Sequence, residues 1–208
     1  MTLPNPTVHV VDDDDSFRKS IVRLLRAAGY EVCEHASAAE FLLSQSSRAH
    51  GCVVLDIRMP GLNGLELQKG LSDFDIALPI IFLTGHGDIQ MSVRAIKAGA
   101  VDFLTKPVKR DSLLSAVRNA ISSDALNRVN YESLKRLRDR FEKLTEREVS
   151  VFLFVVDGKL NKNIASELGI SERTVKSHRA NLMEKLQVTS LAGLIASAVQ
   201  LDLPIPKN

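Results

Sequence analysis

Five short apolar runs, TVHVV (7–11), YEVCEH (30–35), GCVVLD (51–56), PIIFLT (79–84) and AVDFLT (100–105), alternate with amphipathic stretches of helical period. SFRKSIVRLLRAAG (16–29) puts Phe17, Ile21, Leu24 and Leu25 on one face and is stopped by Gly29. SAAEFLLS (37–44) opens with Ser37 as N-cap and Glu40 three residues on, a capping-box signature. NGLELQKGLS and IQMSVRAIKAG behave alike, the second stopped by Gly99. Such alternation leaves few topologies. Each crossover helix must cover a sheet face, so the strands run parallel with helices on both sides. The expected order is the flavodoxin-like 2-1-3-4-5, with ligands held at the carboxyl ends of the strands beside the switch point between the first and third.

That rule directs attention to the strand ends. The first ends in Asp12 and Asp13, the third in Asp56, the fourth in Thr84, and the fifth in Lys106 followed by Pro107. Clustered carboxylates repel unless a cation joins them, and oxygen donors with room for water suit a hard ion, Mg²⁺ above others. An EF-hand fails here, because Phe17 occupies the sixth position of DDDDSF where that loop needs glycine. Beside a metal, Asp56 can act as a nucleophile towards a phosphoryl group and form an acyl phosphate. Lys106 would pair with the phosphoryl oxygens and Thr84 would donate a hydrogen bond. Asp14 and Asp15 fall at the start of the first helix, where the dipole favours negative charge.

The second half has no strand signal. DSLLSAVRNAISSDALNRVNYESLKRLRDRFEKL (111–144) reads as the last helix of the α/β domain running into a charged helical linker, with Leu134, Leu137, Phe141 and Leu144 on one seam. The seam is too short for a coiled coil and suits packing against a neighbouring domain equally well. Four shorter helices follow, capped by Thr145 (with Glu148), Asn161, Ser171 and Thr189. The link GIS between the second and third is the glycine-containing turn of a helix-turn-helix. On the third helix Val175, Leu182 and Leu186 form a core stripe, and Arg173, Thr174, Lys176, Ser177 and Arg179 can point outward to phosphates and base edges.

Charge supports this only mildly. Residues 1–122 carry 13 Lys/Arg against 14 Asp/Glu, and residues 123–208 carry 14 against 11. No apolar run approaches the roughly 18 residues of a membrane span, and MTLPNPTVHV lacks a signal-peptide pattern. Cys33 and Cys52 read as small core residues of a reduced, cytoplasmic protein. His9, His35, His50 and His86 have no metal-ligand spacing with cysteine, so no zinc site is expected.

VVDDD, VVLDIRMPGLNGLEL, FLTGHGD and AGAVDFLTKP together resemble the receiver domain of two-component response regulators, and GHGD (85–88) is similar to the FixJ type. Residues 144–188, from LTEREVS to EKLQV, resemble the LuxR/FixJ-type helix-turn-helix. The resemblance implies Asp56 as phosphoacceptor, with Asp13, Asp56 and the backbone carbonyl of Arg58 as direct Mg²⁺ ligands and Asp12 acting through water. It implies Thr84 and Phe103 as a switch pair and a cis Lys106–Pro107 bond. It places Lys162 at DNA phosphates and Thr174, Lys176, His178 and Arg179 in the major groove, although His178 could be a packing residue. Domains are expected at 1–122 (receiver) and 144–208 (helix-turn-helix), joined by a helical linker at 123–143.

The expected function is a DNA-binding transcription regulator and not an enzyme. A sensor histidine kinase would phosphorylate Asp56, and a homodimer would form through the fourth helix, with Val93 and Lys97 at the interface. The dimer would bind promoter DNA and engage RNA polymerase. Two alternatives stay open. A haloacid-dehalogenase-type phosphatase would use Asp12 as nucleophile and Asp14 as general acid/base, leaving Asp56 and the helix-turn-helix without a role. A constitutive dimerisation module would keep the fold and lose the switch.

Overall fold

The computed structural model describes residues 5–44, 50–73, 78–85 and 89–203, the side chains of Ser72, Asp73 and Ile89 excepted. His86 and the rest of GHGD beyond Gly85 lie outside the described residues. Strands β1 (Thr7–Val11), β2 (Glu31–His35), β3 (Gly51–Asp56), β4 (Ile80–Thr84) and β5 (Asp102–Thr105) form one sheet in the order β2-β1-β3-β4-β5. All four pairings are parallel, as the crossover argument requires. Helices α1 (Asp15–Ala27), α2 (Ala38–Ser44), α3 (Gly64–Asp73) and α4 (Ile89–Lys97) connect the strands, and α5 (Arg110–Phe141) follows β5.

The period-two alternation of the strands builds two cores. Val8, Val10, Cys52, Val54, Ile81 and Leu83 pack with Ile21, Val22 and Leu25 of α1 and Leu113, Val117 and Ala120 of α5. Val11, Val53, Leu55 and Phe82 point to the opposite face, against Phe41 of α2, Leu67 and Leu71 of α3 and Ala95 of α4. The central strands β3 and β4 are buried throughout, whereas edge strand β2 is half open. Cys33 therefore faces solvent on that edge, contrary to its expected place in the core, and Cys52 is buried. At the amino end of β3, Gly51 has φ +121°, and a Cβ there would lie 1.9 Å from the Thr7 carbonyl oxygen. Only glycine lets β3 approach β1 so closely.

The chain divides into two compact units, Met1–Arg128 and Val129–Asn208, with the division falling within α5. In the second unit α6 (Glu146–Val156), α7 (Asn161–Leu168), α8 (Glu172–Leu186) and α9 (Leu191–Gln200) surround Val151, Phe152, Val155, Ile164, Val175, Leu182, Leu186 and Leu194. Leu137, Phe141 and Leu144 join this core, so the apolar seam of the linker region is used for packing within the unit. Thr145 and Glu148 form the expected capping box, and Glu148 also receives the Lys185 ammonium at 2.6 Å.

Three caps differ from expectation. Leu160 is the N-cap of α7 and offers no side-chain bond, because Asn161 Oδ1 already accepts from Arg179 of α8 at 2.7 Å. The cap of α9 is Ser190, whose hydroxyl accepts from Gly193 N, in place of Thr189. At α2, Ser37 accepts from Glu40 N as expected, but the Glu40 carboxylate reaches back to Ala36 N, one residue further than a standard capping box.

Candidate acidic site and helix-turn-helix surface

The carboxyl ends of β1, β3 and β5 place Asp12, Asp13, Asp56 and Lys106 in one cluster. Carboxylate oxygens of the three aspartates lie within 4.8 Å of one another, with Asp12 and Asp56 buried and Asp13 exposed. Lys106 Nζ donates to Asp12 Oδ2 at 2.6 Å and to Asp56 Oδ2 at 2.9 Å. Burial pushes the Asp12 carboxyl up, and the Lys106 bond and the Asp14 N–H only partly offset this. For Lys106 burial pulls downward, but the bonds and charges of Asp12 and Asp56 outweigh it and hold the ammonium above its ordinary range. The cation therefore stays charged.

Backbone geometry fixes these positions. Arg58 N donates to Asp56 Oδ1 at 3.3 Å, which turns the carboxylate towards the loop after β3. Gly64, opening α3, would carry a Cβ only 2.5 Å from the Asp56 carbonyl oxygen, so α3 can begin this close only without a side chain. The Lys106–Pro107 bond is cis, and Lys106 N donates to the Thr84 carbonyl at 2.6 Å, holding the ends of β4 and β5 together. Thr84 is buried at the end of β4. Phe103, on the neighbouring strand, is half-buried, its ring centroid 6.5 Å from that of Phe82. Val93 and Lys97 are exposed on α4.

The four consecutive aspartates divide as expected. Asp12 and Asp13 belong to the cluster. Asp14 is the N-cap of α1 and accepts from Ser16 N and Phe17 N. Asp15 is exposed and pairs with Arg18 at 2.7 Å and Lys19 at 2.8 Å. Two residues of α1 were not foreseen at the site. Arg18 is buried and its Nη1 donates to the Asp12 carbonyl at 2.7 Å, anchoring the peptide between the first two aspartates. The Phe17 ring lies 4.2 Å from Lys106 Nζ. For Arg18 a signal existed, its i,i+3 spacing from Asp15; for Phe17 the helical pattern indicated only core packing.

Away from the site, His9 Nδ1 and His35 Nε2 meet at 3.1 Å, with both rings edge-on to Phe41. Desolvation, then the neighbouring His35, lowers His9 to about 4, and burial also lowers His35 despite Glu40 and Glu34.

The donor set suits a hard divalent cation. Every candidate ligand is oxygen, one carboxylate is open to water, and the other two share a single ammonium. Among the described residues this is the cluster that could hold a metal ion.

In the second unit α7 and α8 form the helix-turn-helix, Gly169 taking the left-handed conformation between them (φ +64°). Val175, Leu182 and Leu186 are buried as the core stripe. Arg173, Thr174, Lys176 and Ser177 are exposed on α8, His178 and Arg179 half-buried, and Lys162 exposed on α7. Thr174 closes the first turn through Ser171, and Arg179 is tethered to Asn161.

Comparison with known proteins agrees with both units. Residues 8–118 match the response regulator receiver domain, and residues 142–198 match the bacterial regulatory proteins of the luxR family. Nodulation protein W of Bradyrhizobium diazoefficiens is 45% identical over 196 residues, covering 94% of this chain and 86% of that protein. The chain belongs to the response regulators. It is a two-component regulator of the FixJ type, with a receiver domain and a LuxR-type helix-turn-helix domain. The transcriptional regulatory protein FixJ of Rhizobium meliloti is 42% identical, covering 93% of this chain and 95% of that one. Among solved structures, response regulator StyR matches with a TM-score of 0.80 at 47% identity over 95% of this chain and 100% of that one.

Family membership overturns the phosphatase alternative, and the geometry agrees. Asp14, the general acid/base of that alternative, is the N-cap of α1 and accepts from Ser16 N and Phe17 N. Among the described residues no single helix is long and apolar enough to cross a membrane.

Proposed function

We propose that this response regulator is a cytoplasmic transcription factor switched by phosphorylation of Asp56. The observation that carries the proposal is the contact of Lys106 Nζ with both Asp12 and Asp56 beside the exposed Asp13. An Asp56 carboxylate oxygen attacks the phosphorus of a phosphohistidine on a sensor kinase. The P–N bond breaks, its electron pair stays on the imidazole, and an acyl phosphate remains on Asp56. Asp13, Asp56 and the Arg58 carbonyl would hold Mg²⁺, with Asp12 acting through water; the ion would supply positive charge to the transferring group. Lys106, already charged, takes a phosphoryl oxygen as its new partner.

The phosphoryl group carries about −1.5 to −2 charges in place of the single carboxylate charge of Asp56, so the rim gains about −0.5 to −1. Thr84 turns its hydroxyl towards the new group and Phe103 moves inward behind it. Together they alter the face of α4 and β5 that carries Val93 and Lys97. Two chains pair through that face, and their helix-turn-helix units read an inverted repeat in promoter DNA. Arg173, Thr174, Lys176, Ser177, His178 and Arg179 of α8 meet the major groove, Lys162 of α7 meets phosphates, and the bound dimer engages RNA polymerase. Residues 1–122 act as the receiver, 123–143 as the linker and 144–208 as the DNA-binding domain.

Borohydride reduction of protein treated with acetyl phosphate and Mg²⁺, followed by peptide mass mapping, tests the first step. The reading expects conversion of Asp56 to homoserine; conversion of Asp12, or of neither, would refute it.

A further inference from the structure

Lys106 is the cation that Asp12 and Asp56 of the acidic cluster share. Its four methylenes leave many rotamers open, and both carboxylates that now hold it change partners when a phosphoryl group arrives. A third contact does not depend on those oxygens. The Phe17 ring lies 4.2 Å from Nζ, within cation–π distance, and the Lys106 side chain is only 17% exposed. The ring is itself well fixed. Its backbone N–H is capped by Asp14 Oδ1 at 3.1 Å, and it packs against the core that includes Ile21, Leu25 and Leu113.

We infer that Phe17 is a positioning residue for phosphoryl transfer, holding the Lys106 ammonium over its ring while the oxygen partners of that ammonium are exchanged. The inference rests on the reading of Asp56 as phosphoacceptor. An aromatic face attracts a cation without consuming an N–H, so Nζ keeps its three donors for Asp12, Asp56 and the incoming oxygens. It also keeps the ammonium from swinging into solvent when the Asp56 carboxylate is converted to an acyl phosphate. The third aspartate of the run acquires a purpose by the same route: Asp14 fixes the first turn of α1, and that turn carries the ring.

Stepwise fluorination of Phe17 in the full chain separates this role from packing. Mono-, di- and trifluorophenylalanine keep the ring's shape and drain its negative face. With acetyl phosphate and Mg²⁺, the logarithm of the Asp56 phosphorylation rate should fall steadily along the series, reaching about five- to tenfold with three fluorines. Phe17→Leu should be as slow as the trifluoro form, and Phe17→Trp should restore the rate. The ε-methylene protons of Lys106, shifted upfield by the ring in the native protein, should lose that shift in Phe17→Leu. Equal rates across the fluorinated series, or an unshifted Lys106 signal in the native protein, would overturn the inference. Lys106→Met is the control: if it phosphorylates at the native rate, the reading of the site itself fails, whereas a slow Lys106→Met with a flat fluorine series refutes only the role of Phe17.

Discussion

Acidification from pH 7.5 to 5.0 should weaken the receiver domain through His9. The ring is 9% exposed, stacked on His35 and edge-on to Phe41, with its Nδ1 3.1 Å from His35 Nε2. Protonating both rings would set two cations against each other in an apolar setting. The folded pKa of about 4 lies below the unfolded value of 6.5, so the folded state binds fewer protons than the unfolded chain in this interval. Stability is therefore complete above pH 6.5 and lost as the pH falls towards 4. Integrating the shift gives a loss of about 2 kcal/mol at pH 5.0 and about 3 kcal/mol below pH 4. Burial gives His35 a shift of the same sign, opposed by Glu40 and Glu34, whereas the raised Asp12 carboxyl acts in the opposite sense.

Comparison with His9→Asn isolates the His9 contribution, because the amide cannot titrate yet can still face His35. Urea unfolding should be followed by NMR through the β1 amides of the full chain at both pH values. The native protein should lose about 1 M more in its midpoint on acidification than the variant does, taking ~2 kcal/mol per molar as the urea slope. Equal losses in the two proteins, or a His9 ring that titrates near 6.5, would refute the reasoning.

Other outcomes follow from single contacts. Arg18→Gln should weaken Mg²⁺ affinity, read by calorimetry, several-fold, because the peptide between Asp12 and Asp13 loses its guanidinium anchor. Asp13→Lys should abolish Mg²⁺-dependent phosphorylation, whereas Asp15→Asn, which weakens the pairs of exposed Asp15 with Arg18 and Lys19 but leaves the Arg18 Nη1 bond to the Asp12 carbonyl in place, should leave it nearly unchanged. Glu148→Ala should cost the second unit about 1–3 kcal/mol in thermal unfolding, since it removes the capping box and leaves Lys185 without that carboxylate. Asn161→Ala should free Arg179 and change DNA affinity in a filter assay while barely moving the melting temperature.

The strand order was legible because β3 and β4 are uninterrupted apolar runs, and because α1, α3 and α4 show the helical period between them. The cluster followed from topology alone: parallel strands bring their carboxyl ends to one rim, so Asp12, Asp13, Asp56 and Lys106 had to meet. What escaped notice depends on side-chain contacts across elements. Asn161 is an acceptable N-cap by residue type, yet its oxygen is claimed by Arg179 from the next helix. Cys33 sits in a strand-like run, but its exposure follows from the edge position that the order 2-1-3-4-5 gives β2 and from the glutamates of that run, Glu31 and Glu34. The meeting of His9 with His35 needed the β1–β2 register, and Phe17 looked like any core aromatic until Lys106 was found above it.

The central claim is that phosphorylation of Asp56 controls DNA binding. Selection of DNA fragments by the full chain with and without acetyl phosphate and Mg²⁺ yields an operator, on which affinity can be titrated for the native protein and Asp56→Asn. The account predicts a palindromic site bound at least tenfold more tightly by the treated native protein, with Asp56→Asn unresponsive. Equal affinity with and without the phosphodonor, or a full response in Asp56→Asn, would contradict it.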